Sequence, residues 1–280
     1  MRWRQQLWLL QRDRRHGSLE LLARFVELCH QMEEAEATAQ DFRESIRCLI
    51  DAHPAMALFR RLAERFEPLF DEQAPASAFT AEAEQFLQEV QQHVEQSAEI
   101  AAQQLPTGAT VLTHSASSHV RRVLEKALQR GKTVRLFCTV SEPGREGIRF
   151  AQWAHSAGIP VLLLAESQVG ALLGDITLFL IGSDAVCQDG VVHKVGTALL
   201  AYRLWLEHRP VWVMSCAEKF VPQPWDESFA GTAPRISRVA VPQARPLYDC
   251  TPWEHLSVFV SESGFEDAQD VRTRLLASVE

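Results

Sequence analysis

The hydrophobic periodicity of the chain changes near residue 106, and this change constrains the possible folds more than any other feature of the 280 residues. Before residue 106, apolar side chains recur every three or four positions, as Leu19, Leu22, Phe25 and Val26 do, which predicts amphipathic helices. After residue 108, short apolar runs alternate with helical stretches. We therefore predict a helical domain at 1–105 and an α/β domain at 106–280.

Six apolar runs in the second part are predicted to be strands: ATVLTHS, TVRLFCT, IPVLLL, ITLFLIGSD, PVWVMSC and LSVFVSE. Continuous apolar strands are typical of parallel sheets that helices cover on both faces. Helical connectors are expected at 117–130, 145–157, 167–174 and 191–207. The fold class is thus α/β, with an N-terminal helical domain followed by a Rossmann-like doubly wound, mainly parallel sheet.

Local signals give further detail. The first residues, which include Trp3 and Trp8, are expected to form an amphipathic helix that covers the others. Pro54 is suited to a helix start, and Thr80 is suited to cap a long helix that ends at Gln104. The segment 248–252 is expected to form the turn before the last strand.

The composition excludes several classes of protein. With 28 basic and 36 acidic residues, the net charge of -8 argues against a nucleic-acid-binding surface. The six cysteines lack CxxC and zinc-finger spacing, which indicates free thiols and no metal site. No apolar stretch is long enough for a membrane helix or a signal peptide. We expect a cytoplasmic protein with no cofactor and no membrane or nucleic-acid partner.

The loops that follow the predicted strands hold the candidate site, because doubly wound sheets bind ligands at the carboxyl ends of their strands. After the first strand come His114, Ser115, Ser117 and Ser118, whose hydroxyls either cap the next helix or bind an anion. After the second comes Arg145, which either binds phosphate or is a solvated residue at a helix start.

The later loops carry a carboxylate and two cations. Asp184 ends the fourth strand and is either a general base or a cap of the next turn. Lys194, Gly196 and Thr197 are suited to hold a phosphate at the following helix start, and Lys219 adds a cation at the same rim. Motifs for nucleotide hydrolysis, hydride transfer, zinc proteolysis and the serine-hydrolase elbow are absent from the sequence.

Read in order, several segments resemble one family: THSASS, GIPVLLL, IGSDAV, DGVVHKVGT, EKF and PLYDCTPWEHLSVFVSESGF. The family comprises the α, β and δ subunits of eukaryotic translation initiation factor two-B, with 5-methylthioribose-1-phosphate isomerase and ribose-1,5-bisphosphate isomerase. The likeness spans about residues 106–265. The first third, with His16-Gly17-Ser18 and His53-Pro54, resembles the family's helical domain.

The resemblance implies a pocket for a phosphorylated small molecule between the helical domain and the sheet edge. It also implies a homodimer formed through the α/β domain. Together with the strand-end loops, the resemblance gives these predicted ligand-binding positions: Gly17, His53, His114, Ser117, Ser118, Arg145, His193, Lys194, Gly196, Thr197 and Lys219.

The chain departs from the isomerase pattern at positions that matter for chemistry. In the isomerases, a Cys and an Asp exchange hydrogen with C1 and C2 of the sugar. Asp184 matches that Asp, but Ser115 stands in place of the Cys and is a far weaker acid than a thiol. Glu142 stands where the isomerases carry an Arg, and His193 stands where they carry an Asn.

Three functions therefore remain open. The first is an initiation-factor-like protein that binds a phosphorylated sugar or nucleotide in a non-catalytic or regulatory role. The second is an aldose–ketose isomerase that acts on a ribose phosphate through Asp184 and either Ser115 or a histidine. The third is a protein-interaction subunit with a relict pocket.

Overall fold

The first third of the chain is helical. The computed structural model describes residues 2–233, 235 and 241–277. Its first five helices are α1 (Arg2–Arg12), α2 (Ser18–Glu34), α3 (Ala39–Ala52), α4 (Ala57–Asp71) and α5 (Ala76–Gln104). Buried rings of Phe42, Phe66, Phe70 and Phe79 contact one another at the centre of this bundle.

The first helix is amphipathic as predicted, with Trp3 buried and Trp8 50% exposed. Two predicted helix starts are wrong. α5 begins one turn before Thr80, because this turn buries Phe79 in the core, and the Thr80 hydroxyl donates to the Cys29 carbonyl at 3.3 Å. α4 begins at Ala57, after a turn in which the Met56 amide donates to the His53 carbonyl.

The rest of the chain alternates strands with helices. The strands are β1 (Ala109–Thr113), β2 (Val134–Thr139), β3 (Val161–Leu164), β4 (Leu178–Ile181), β5 (Ala185–Cys187), β6 (Gly190–Lys194), β7 (Val211–Met214), β8 (Tyr248–Pro252), β9 (Val258–Ser261) and β10 (Gly264–Asp267). The helices are α6 (Ser118–Gln129), α7 (Glu146–Ser156), α8 (Thr197–Leu206) and α9 (Ala268–Ala277).

Seven of these strands form the main sheet in the order β10-β9-β7-β4-β1-β2-β3. All pairs in it are parallel except β9 with β10. All six predicted strands are present, and α6 and α7 fill the connectors predicted at 117–130 and 145–157. The connector predicted at 167–174 consists of short 3-10 helices. The predicted α/β fold class is confirmed.

A second, antiparallel sheet was not predicted. Its strand order is β5-β6-β8, so the connector predicted as helical at 191–207 is a strand followed by α8. The predicted turn at 248–252 is also wrong, since it forms β8. Short apolar runs such as Val191-Val192 fit either a strand or a helix. Here they form a strand by pairing with β8, which lies about sixty residues further along the chain.

The small sheet packs against the helical bundle and shares its hydrophobic core. Ala185, Cys187 and Val192 lie in the same buried cluster as Phe25 and Phe59. Asp184 after β4 and Lys194 at the end of β6 line one cavity together with the loop between α1 and α2. In the part of the chain that the structure describes, none of the helices is long and apolar enough to cross a membrane.

Candidate functional site

A small cavity lies where the loop between α1 and α2 meets the strand ends. Its volume is about 50 Å³, which is room for roughly three to five water molecules. Strand ends supply part of the lining, as expected for a doubly wound sheet. The lining residues are Arg14, Arg15, His16, Gly17, Met56, Ser115, Ala116, Glu146, Asp184, Lys194, Leu247 and Tyr248.

A buried ion pair occupies the inner wall of the cavity. Lys194 Nζ lies 2.9 Å from Glu146 Oε1, with side chains only 4% and 11% exposed. The Ser115 hydroxyl donates to the same Glu146 oxygen at 3.0 Å. Glu146 Oε2 is buried and has no hydrogen-bond partner among the described residues. Glu146 is thus central to the site, although no motif in the sequence indicated it.

The neighbouring glycine leaves room for this carboxylate. A Cβ atom at Gly144 would clash with Glu146 Oε2 and would approach Lys194 Nζ to 3.2 Å. The glycine after Pro143 therefore allows the loop backbone to pack directly on the ion pair.

The backbone around Ser115 is strained. Ser115 and Ser141 have φ angles of 73° and 68°, a left-handed conformation that costs a non-glycine residue about 1–3 kcal/mol. The Ser115 amide donates to Ser141 Oγ at 2.7 Å, and the Ser141 amide donates to Glu166 Oε1 at 2.5 Å. Strain of this kind concentrates at binding and catalytic sites, where the surrounding contacts hold it in place.

Asp184 also lines the cavity and carries a perturbed acidity. Burial raises its pKa to about 6, and the Glu146 charge adds to this effect against the opposing charges of Lys219 and Lys194. The nearby Ser18 hydroxyl favours the ionised form and lowers the pKa. A carboxyl group with a pKa near 6 can both accept and donate a proton close to neutral pH.

The loop between α1 and α2 holds two arginines over the cavity. Asp13 organises the loop: its carboxylate accepts from the amides of Arg15 and His16, from His16 Nδ1 at 2.6 Å, and from Arg24 at 3.1 Å. The Arg14 guanidinium donates to the Gln11 and Asp13 carbonyls, so no carboxylate neutralises it through those bonds. From the sequence, Arg14 and Arg15 were expected to belong to the amphipathic first helix, which ends at Arg12 instead.

Four of the predicted site residues line the cavity together: Gly17, Ser115, Asp184 and Lys194. His114 and His193 lie behind this wall. His114 Nε2 donates to the Val195 carbonyl at 2.9 Å, and His193 Nδ1 lies 3.1 Å from Thr197 Oγ1. Burial lowers the pKa of both histidines, which keeps them neutral and unsuited to bind phosphate.

Other predicted residues do not line the cavity. His53 donates to the Leu10 carbonyl at 2.8 Å, and burial lowers its pKa to about 4. Ser117 caps α6, while Ser118 lines a separate groove beside α5. Arg145 is 63% exposed and pairs with Glu142 at 3.3 Å. Lys219 is buried, and its ammonium group donates to the Ser183 carbonyl at 2.6 Å.

The N-terminus of α8 already holds a carboxylate. Asp249 accepts from the Gly196 amide at 2.7 Å and from the Ala198 amide at 3.3 Å. The Thr197 hydroxyl donates to the Lys194 carbonyl at 2.6 Å. The backbone donors at this helix start are thus occupied by the protein's own Asp249 rather than being presented to a phosphate. No local signal links Asp249 to this position, since it lies about fifty residues further along the chain.

Comparison with known proteins assigns the chain to a family. A model of the initiation factor 2 subunit family matches residues 13–267. The chain belongs to this family. One relative, a putative translation initiation factor eIF-2B subunit 2-like protein of Pyrococcus furiosus, is 29% identical over 86% of each chain. The ribose 1,5-bisphosphate isomerase of Methanocaldococcus jannaschii is 25% identical over 79% of this chain and 75% of the relative.

Solved structures of the family share the fold. The translation initiation factor eIF-2B of Pyrococcus horikoshii superposes with a TM-score of 0.84 at 27% identity, covering 94% of this chain and 96% of that one. A chain of the tetrameric eIF2B-beta2-delta2 complex of C. thermophilum superposes with a TM-score of 0.69 at 18% identity, covering 99% and 94%. Family membership includes both initiation factors and isomerases, so the function must be argued from the site.

Proposed function

We propose that this family member binds a phosphorylated sugar in the cavity, in a non-catalytic role. The observation that carries the proposal is the placement of Arg14 and Arg15 over a pocket whose inner wall carries Glu146 and Asp184. Guanidinium groups bind phosphate oxygens in charge-assisted pairs, and carboxylates accept hydrogen bonds from sugar hydroxyls. The two ends of a sugar phosphate thus match the two ends of the cavity.

Ligand entry requires the loop to move. A volume of about 50 Å³ is smaller than a pentose phosphate, so we expect the segment 14–17 to shift outward on binding. Polar contacts from Asp13 to the Arg15 and His16 amides hold this loop in its present position.

The surroundings of Ser115 favour binding over catalysis. Its hydroxyl donates to Glu146, whose charge is already matched by Lys194. Removing the Ser115 proton would place a second negative charge beside this carboxylate. The two neighbouring histidines are buried and engaged elsewhere, so neither can take up that proton as the base of a serine–histidine pair does.

Arg14→Ala should weaken the binding of ribose 5-phosphate by about 10- to 100-fold, the usual worth of a hydrogen bond to a charged group. Isothermal titration calorimetry checks this. Arg12→Ala is the matched control, because the Arg12 guanidinium stacks 4.1 Å above the exposed Trp8 ring. Equal losses in both variants, or the absence of binding by the unmodified protein, would contradict the proposal.

A second candidate, aldose–ketose isomerisation, is favoured by the acidity of Asp184. With a pKa of about 6 and a second carboxylate on the same cavity, Asp184 is suited to pass a proton between neighbouring oxygens of a bound sugar while Glu146 exchanges the proton on carbon. Incubation of the protein with ribose 5-phosphate or ribose 1-phosphate in D₂O distinguishes the candidates. Deuterium at C1 or C2 supports an isomerase, and its absence from a ligand that binds supports a binding protein.

We also propose that the protein forms a homodimer through α8. The outer face of this helix exposes Leu199, Tyr202, Trp205 and Leu206, between 43% and 69% each. The rings of Tyr202 and Trp205 also contact His255, which makes the patch continuous. Contiguous exposed apolar patches mark interaction surfaces.

Trp205→Glu should convert the dimer to a monomer, because it places a charge in the centre of the proposed apolar contact. Light scattering coupled to size-exclusion chromatography measures the mass. Trp8→Glu is the control, since Trp8 is similarly exposed but lies on α1. A monomeric unmodified protein, or a dimer that survives Trp205→Glu, would contradict the assignment. The protein could instead form a stable complex with another protein. If charge substitutions in the cavity did not affect that complex, the result would favour the interaction-subunit alternative.

A further inference from the structure

We propose that the cavity selects sugars that carry a single phosphate and rejects sugar bisphosphates. This inference rests on the proposed function, because it concerns the ligand of the same site. It follows from the distribution of charge along the cavity, which is cationic at one end only.

The end of the cavity formed by the loop between α1 and α2 carries two arginines whose guanidinium groups have no bonded carboxylate among the described residues. Arg14 and Arg15 line the cavity there, and the hydrogen bonds of the Arg14 guanidinium go to carbonyl oxygens. Carbonyl acceptors leave the full positive charge of the guanidinium available to a phosphate. This end has the chemistry to hold one phosphate group.

The cation that lines the inner end is already paired with a carboxylate. Lys194 pairs with Glu146 at 2.9 Å. Lys219 does not line the cavity, and its buried ammonium group donates to the Ser183 carbonyl at 2.6 Å. The amides at the start of α8 are bonded to Asp249. A second phosphate at this end would meet Glu146 and Asp184, and the lining that the structure describes offers no unpaired cation there to offset the repulsion.

Glu146 also requires a hydrogen-bond donor, which an ionised phosphate cannot supply. Its Oε2 atom is buried and has no partner among the described residues, so a ligand that donates to it removes a cost. A sugar hydroxyl is such a donor, whereas a phosphate dianion only accepts. Ser115 donates to the other oxygen of the same carboxylate, so the inner wall as a whole is built to receive hydroxyl groups.

Titration calorimetry with ribose 5-phosphate, ribose 1-phosphate and ribose 1,5-bisphosphate tests this selectivity on the full chain. We expect at least one monophosphate to bind about tenfold or more tightly than the bisphosphate. Equal or tighter binding of the bisphosphate would overturn the inference while leaving the proposed function intact. Failure of all three to bind would refute the proposed function itself, and the selectivity with it.

Two variants test the role of Glu146 in this selectivity. Glu146→Gln should raise the affinity for the bisphosphate about tenfold or more, because it releases Lys194 and removes the repelling charge. Glu146→Asp keeps the charge and should keep the preference for a monophosphate. Glu142→Gln is the matched control, since Glu142 pairs with the exposed Arg145 and does not line the cavity. An unchanged ratio of affinities in Glu146→Gln would overturn the assignment to Glu146.

Discussion

Lys194→Met is expected to lower the free energy of unfolding by about 3–5 kcal/mol, the usual cost of removing one partner from a buried ion pair. The Lys194 and Glu146 side chains are 4% and 11% exposed, so a carboxylate left without its partner would stay largely shielded from bulk water. The remaining carboxylate would keep only the Ser115 hydroxyl as a donor, because its other oxygen has no partner among the described residues. Urea denaturation measured by circular dichroism gives the difference in free energy.

The double variant Glu146→Gln/Lys194→Met should recover most of this loss, because no unpaired charge remains. Lys126→Met is the control: Lys126 pairs with Glu95 at the surface, where removal of an ion pair costs less than about 1 kcal/mol. If Lys194→Met cost no more than Lys126→Met, or if the double variant were as unstable as the single one, the pair would not be a buried, mutually dependent unit.

The main sheet could be predicted from the sequence because its information is local. Each parallel strand is a short continuous apolar run, because the side chains on both of its faces are buried. The small sheet could not, because β6 is a strand only through its pairing with β5 and β8, and Val191-Val192 alone fit either structure. Thr80 was misplaced for a similar reason: burial of Phe79 extends α5 by one turn, and a local capping rule does not detect that packing.

The site was only partly predictable for the same physical reason. Ser115 and Asp184 follow strands of the main sheet, and the rule for ligands at strand ends selects them. Lys194 was selected as a residue near a helix start, and it is the last residue of β6. Arg14 and Arg15 come from a loop in the helical bundle, and only the packing of that bundle on the small sheet brings them over the cavity. Asp249 fills the start of α8 from a distant strand, which no spacing in the sequence reveals.

Asp184→Asn is expected to stabilise the fold at pH 7 by up to about 3 kcal/mol. The folded state raises the pKa of this carboxyl from 3.8 to about 6. The folded protein therefore holds the proton more tightly than the unfolded chain between these values. As the pH rises through this window the group ionises at a cost to the fold, and the native protein loses stability. An asparagine stays neutral and does not incur this cost.

The measurement is the difference in unfolding free energy between Asp184→Asn and the native protein, followed from pH 4 to pH 7. Burial also raises the pKa of Asp249 to about 6, so Asp249 adds its own pH dependence to the stability. Both proteins retain Asp249, and its contribution cancels in the difference. A difference that grows with pH and is largest at pH 7 is expected. A variant less stable than the native protein, or a difference independent of pH, would contradict the perturbed acidity. A structural role does not explain a carboxylate that destabilises its own fold, whereas a ligand-binding or catalytic role does. Asp184→Asn should therefore also lose affinity for ribose phosphates, despite its higher stability.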